Sequence, residues 1–120
     1  MVGPEETNFS NIIKEIIKKS LFTERQIQII LKRKNLSEID FDISKGAYFR
    51  QVSQSREKLM GLYYSIVLLR GLGILLPDDI DVISRLAEQV SVIKDSDVFL
   101  EREERVINII DKLVRQSCGM

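Results

Sequence analysis

ISKGAYFRQVSQSREKL, residues 43–59, runs without a break into the apolar MGLYYSIVLLRGLGILL, residues 60–76, and the reading of this stretch decides the fold. At 3.6 residues per turn it places Tyr48, Val52, Leu59, Tyr63 and Ile66 on one helical face. Ala47, Arg50, Gln51, Gln54 and Lys58 share the opposite face, which is free to touch something. Ser44 is a good N-cap. Arg and Gln are the side chains that best match base edges or phosphates in a major groove, so the free face reads as a DNA-recognition surface.

Beyond Leu59 the helix is apolar nearly all round (Leu62, Tyr63, Tyr64, Ile66, Val67, Leu68, Leu69) and needs to be surrounded. In a chain of 120 residues that means the C-terminal helices, a dimer interface, or both. Leu62, Tyr63, Ile66, Leu69 and Leu113 are the expected dimer contacts. Gly71 and Gly73 supply the stop.

Upstream, Asn8 or Ser10 caps a helix with the stripe Phe9, Ile12, Ile13, Ile16 and Ile17, and Lys14, Lys18 and Lys19 lie on its outer side. Thr23 followed by Gln26 is a capping-box pattern, with Phe22 able to staple onto Ile27. This second helix buries Ile27, Ile30 and Leu31 and ends in Lys32, Arg33 and Lys34, with Asn35 as a left-handed cap. Its cations either complement the macrodipole or contact phosphate. LSEIDFDI (36–43) is a short extended segment or a single helical turn, and its acids must point away from any phosphate backbone.

Downstream, Pro77 and the acids Asp78, Asp79 and Asp81 open a fourth helix, with Ile80, Ile83, Leu86, Ala87, Val90 and Ile93 inward. Asp95-Ser96-Asp97 is a break. A fifth helix follows with Leu100, Val106, Ile107, Ile110, Leu113 and Val114 inward and a Glu101–Arg105 pair outside.

Length and composition allow one helical domain, with residues 8–60 as a DNA-binding-like half and 61–120 as a dimerisation and packing half. Formal charge is zero, but residues 21–60 carry eight Lys/Arg against five Asp/Glu, and residues 61–120 seven against ten. The absence of His removes the commonest acid/base and metal ligand, and no nucleophile with a base and no phosphate-cradling Gly loop is visible, so a non-enzyme is expected. No cofactor, metal or small-molecule substrate is indicated. The Asp cluster at 78–81 lacks Ca-loop spacing. One Cys and no apolar signal core give the expectation of a cytoplasmic protein with no membrane partner. Seventeen Ile with no Trp or His resembles thermophile composition.

With Thr23–Gln26 and the Ile43-Ser44 opening, residues 21–59 resemble helix-turn-helix transcription factors of the LuxR, sigma region 4 and archaeal Tfx-like kinds. The resemblance implies buried apolar residues at Tyr48 and Val52. It implies base and phosphate contacts at Lys45, Gly46, Ala47, Arg50 and Gln51, extended by Gln54 and Lys58. Those families place a full helix and tight turn between the capped elements, and LSEIDFDI is several residues too short for both. Either the middle helix shrinks to one turn, or the unit is a different helical or winged arrangement with the long helix mainly an interface.

The expected fold is all-α with about five helices: a helix-turn-helix-like core, winged or not, a long central helix and a C-terminal helical pair. The expected function is a homodimeric transcriptional regulator that binds double-stranded DNA. Arg50, Gln51 and Gln54 face bases, and Lys32, Arg33, Lys34, Lys45 and Lys58 face phosphates. The alternative is a helical protein–protein interaction module that never meets nucleic acid.

Overall fold

Among the described residues five helices form, in the order α1 (Asn11–Lys19), α2 (Glu24–Arg33), α3 (Lys45–Gly71), α4 (Pro77–Ile93) and α5 (Leu100–Cys118). A computed structural model describes residues 9–94 and 100–120. Among the described residues there is no strand, so the all-α expectation holds and no wing is present. No described helix is long and apolar enough to cross a membrane. The expected cap Asn8, the break at Asp95–Asp97, and the side chains of Leu100 and Glu101, with the pair drawn to Arg105, lie outside the described residues.

The helix ends follow from local chemistry. Ser10 accepts from the Ile13 N–H at 3.4 Å and opens α1. At α2 the capping box closes in both directions: Gln26 N–H donates to Thr23 Oγ1 (3.2 Å) and Thr23 N–H to Gln26 Oε1 (2.9 Å). Its far end is a Schellman turn, with Asn35 N–H on Lys32 O and Leu36 N–H on Leu31 O. Asn35 takes the left-handed conformation (φ 58°) that this turn requires. Ser44 caps α3 by accepting from the Ala47 N–H at 3.1 Å. Gly73 (φ 75°) ends that helix through bonds from Gly73 N–H to Arg70 O and Ile74 N–H to Leu69 O. Pro77 stands at the start of α4, where Leu76 N–H donates to Asp79 Oδ2 at 2.8 Å.

The chain divides into two compact units, residues 17–67 and residues 9–16 with 68–120. The division falls at Val67/Leu68, and residues 9–16 go with the second unit. It sharpens the charge asymmetry. Residues 17–67 hold ten Lys/Arg against five Asp/Glu, a net +5, whereas residues 9–16 and 68–120 hold eight against eleven, a net −3.

In the first unit, Ile29 on α2 and Val52 and Ser55 on α3 are buried, together with Gln28. The expected α2 stripe is thereby shifted: Ile27, Ile30 and Leu31 are half-buried, and Ile29 at 1% exposure is the core residue. Four apolar side chains within residues 27–31 leave the helical phase open, and the burial of Ile29 and Gln28 selects it. Between α2 and α3 lie eleven residues, 34–44, with no middle helix. From Ser37 to Ser44 half-buried and exposed residues alternate strictly, so Ile39, Phe41 and Ile43 turn inward and Glu38, Asp40 and Asp42 outward. The segment is extended and irregular, the first of the two forms its alternation allows.

In the second unit, α4 turns Ile80, Val82, Leu86, Val90 and Ile93 to its half-buried side and leaves Ile83 and Ala87 exposed. On α5, Val106, Ile107, Ile110 and Leu113 are half-buried and Val114 is exposed. Asp111 pairs with Arg115 at 2.8 Å one turn on. That hydrogen bond and the carboxylate's charge raise the guanidinium pKa above its ordinary value. No described residue of 68–120 is fully buried.

Candidate nucleic-acid interface

The expected reading face is built on the first half of α3, and burial shows which way each side chain turns. Successive residues advance by 100°, so Tyr48, Val52, Ser55 and Leu59 form one stripe. Val52 and Ser55 are buried, and Tyr48 and Leu59 half-buried. Arg50 and Gln54 lie on the far side and are exposed. Ala47 and Gln51, expected beside them, are half-buried. Gln51 Oε1 is enclosed without a hydrogen-bond partner, as is Ser55 Oγ one turn later. Gln51 therefore flanks the core stripe, about 60° round the helix from Tyr48, and its carbamoyl oxygen is not offered to solvent.

The cations of the unit divide into held and open. Lys32 Nζ is 3.2 Å from Asp40 Oδ1 and sits 5.5 Å from the Phe41 ring centroid and 5.8 Å from that of Tyr48. Arg25 lies over the same Phe41 ring at 5.3 Å. Phe41 and Tyr48 have centroids 5.8 Å apart, so the inward ring of the acidic segment is flanked by two cations and an aromatic partner from α3. This cluster anchors residues 36–43, and it occupies Lys32, which was expected on phosphate.

Arg33 and Lys34 are exposed and make no ion pair among the described residues, and the same is true of Lys45 and Arg50. Lys58 is exposed, and its ammonium donates to Gln26 Oε1 at 3.2 Å, the oxygen that also closes the α2 capping box. That contact ties the N-terminus of α2 to α3 across 32 positions of sequence.

Two charged groups were missed by the sequence reading. Arg56 is an exposed cation without an ion pair among the described residues, on the flank of α3 away from Gln54. Glu57 is exposed too, and at 100° per residue it falls within about 20° of Arg50 on the same face. The charge of either was visible in the sequence, but its placement required the phase that Val52 and Ser55 establish.

The expected dimer contacts fall differently. Tyr63 (59% exposed) and Ile66 are open, whereas Leu62, Leu69 and Leu113 are half-buried within the single chain. Among the described residues no group of His, Cys, Asp or Glu is arranged to hold a metal ion. No protein-family model, curated protein or solved structure matches the chain.

Proposed function

We propose that this chain is a non-catalytic DNA-binding protein, a transcriptional regulator acting as a homodimer. Arg50 and Gln54 meet base edges, and Arg33, Lys34, Lys45 and Lys58 meet phosphates. The observation that carries the reading is the state of the solvent side of α3. Within a unit of net +5, Arg50 and Gln54 project outward from a capped helix, and the exposed cations Lys45, Arg33 and Lys34 of the same unit have no carboxylate partner among the described residues. Of the three acids in residues 36–43, Asp40 is paired with Lys32. An extended helix face with Arg and Gln is chemically suited to bidentate contacts in the major groove, and flanking cations suit phosphate positioning.

A second reading, an interaction module for a protein partner, is favoured by Glu57, two turns from Arg50 on the same face, and by Phe49, which is 49% exposed on the adjoining flank. Fluorescence anisotropy with a labelled duplex, repeated across a salt series, separates the two. A regulator binds with log affinity falling linearly in log salt, and Arg50→Ala weakens binding by at least tenfold for the preferred sequence. Binding weaker than micromolar, indifferent to salt and to Arg50, supports the interaction module instead.

A further inference from the structure

We infer that the bare second half of α3 is where two copies of this chain pair, and that the pairing sets two reading faces one turn of duplex apart. The spacing rests on the DNA-binding reading above; the pairing does not. Met60, Tyr63, Tyr64 and Val67 share one face of α3 and are all at least half exposed, with Tyr64 at 72% and Val67 at 70%. At about 100 Å² each they present on the order of 400 Å² of contiguous apolar surface, about half of the ~800 Å² that each partner gives to a standard interface.

The occupant is a second copy because of the charge pattern. A two-fold contact sets each charge near its own image, so like charges in the patch would oppose it. Between Leu59 and Pro77 the only charged residue is Arg70, and its Nη1 already donates to Leu75 O at 2.9 Å. Residues 17–67, at +5, repel their own copy and direct self-association to this neutral stretch. An acidic or basic partner finds no free charge here to recognise.

The spacing follows from helix geometry alone. Gln54, in the middle of the reading face, and Ile66, in the middle of the bare stretch, are twelve residues apart on one unbroken helix, about 18 Å at 1.5 Å per residue. Two copies meeting at Ile66 hold their reading faces at most about 36 Å apart, which matches half-sites one turn apart. Even a meeting point at Gly71, the last residue of α3, allows only about 51 Å, short of the roughly 68 Å of two turns.

Sedimentation equilibrium of the full chain at tens of micromolar tests the pairing. The expected mass is twice 13.9 kDa. The double substitution Tyr64→Glu, Val67→Glu is expected to give a monomer with its helical circular dichroism intact, since both side chains face solvent in the single chain. A monomeric wild type, or a dimer that survives the double substitution, overturns the inference. An independent reading uses a spin label at Val67→Cys in a Cys118→Ser background. Helices about 10 Å apart put the two labels within roughly 20 Å of each other, and a longer distance overturns the pairing surface.

For the spacing, a randomised 40-base-pair duplex pool is selected on the protein and sequenced. An inverted repeat with centres about 10–11 base pairs apart is expected. A single motif, or a repeat spaced by two turns, overturns it. A dimer that retains no duplex removes the DNA reading and leaves the pairing, whereas a salt-sensitive DNA-binding monomer does the reverse.

Discussion

Lys32 and Lys34 stand two residues apart at the end of α2 and differ in what holds them, so replacing each with Ala gives opposite results in two assays. Each loses the same macrodipole contribution, about 0.3–1 kcal/mol, which cancels in the comparison. Lys32→Ala also removes the contact to Asp40 and the approach to the Phe41 and Tyr48 rings. Asp40 is 86% exposed, which puts the ion pair at the weak end of the range, and the ring contacts add about 0.5–1 kcal/mol, so the specific loss is about 1 kcal/mol. Lys34, open to solvent, has no such contacts to lose. In DNA binding the order reverses. If Lys34 meets one phosphate in each of two copies, its loss flattens the plot of log affinity against log salt by about 1.8, which is roughly tenfold in affinity between 50 and 200 mM salt. Lys32→Ala leaves that slope unchanged. Urea denaturation reads the first effect and anisotropy across a salt series the second. Equal flattening by the two substitutions would show that Lys32 leaves Asp40 for the duplex and refute the division into held and open cations.

Three further outcomes are expected. Ser55→Ala deletes an enclosed hydroxyl without a partner and leaves a methyl in the same space, so stability rises by about 1 kcal/mol; a fall of that size in the urea midpoint would mean the hydroxyl is satisfied after all. At Asn35, with φ 58°, Ala costs about 1 kcal/mol while Gly is neutral or mildly stabilising, and indistinguishable denaturation curves for the two variants would rule out the left-handed cap. Glu57→Gln removes the carboxylate that shares the face of Gln54 and Arg50, one and two turns away, and is expected to tighten duplex binding severalfold at low salt; weaker binding would instead make Glu57 a base contact.

Helix ends were legible in the sequence because their chemistry is closed within one turn. Thr23 with Gln26, Ser44 with the Ala47 N–H, Asn35 and Gly73 in positive φ, and Pro77 before its acids each need only neighbours three or four residues away. Helix faces were less legible, because apolar periodicity ignores polar residues that pack inward. Gln28, Gln51 and Ser55 turn to the core of the first unit, and all three are types the periodicity assigns to solvent. The stripe Tyr48, Val52, Leu59 was found with its fourth member, Ser55, missing. That omission left the phase loose enough for Gln51 to be set among the reading residues.

The basic run at 32–34 shows how the same limit reaches the candidate site. A helix rotates 100° per residue, so three adjacent cations span 200° and cannot all face one ligand. Which of them turns inward depends on what the chain returns to that side, and here it is Asp40 and Phe41, eight and nine positions away, delivered by the alternation of residues 37–44. The acids that seemed to oppose a phosphate backbone therefore act on α2: one of them, with a ring beside it, withdraws Lys32. Arg33 and Lys34 are left to solvent. Replacing Asp40 by Asn should release Lys32 and add a cation to the open set, steepening the salt dependence of duplex binding where Lys32→Ala leaves it flat.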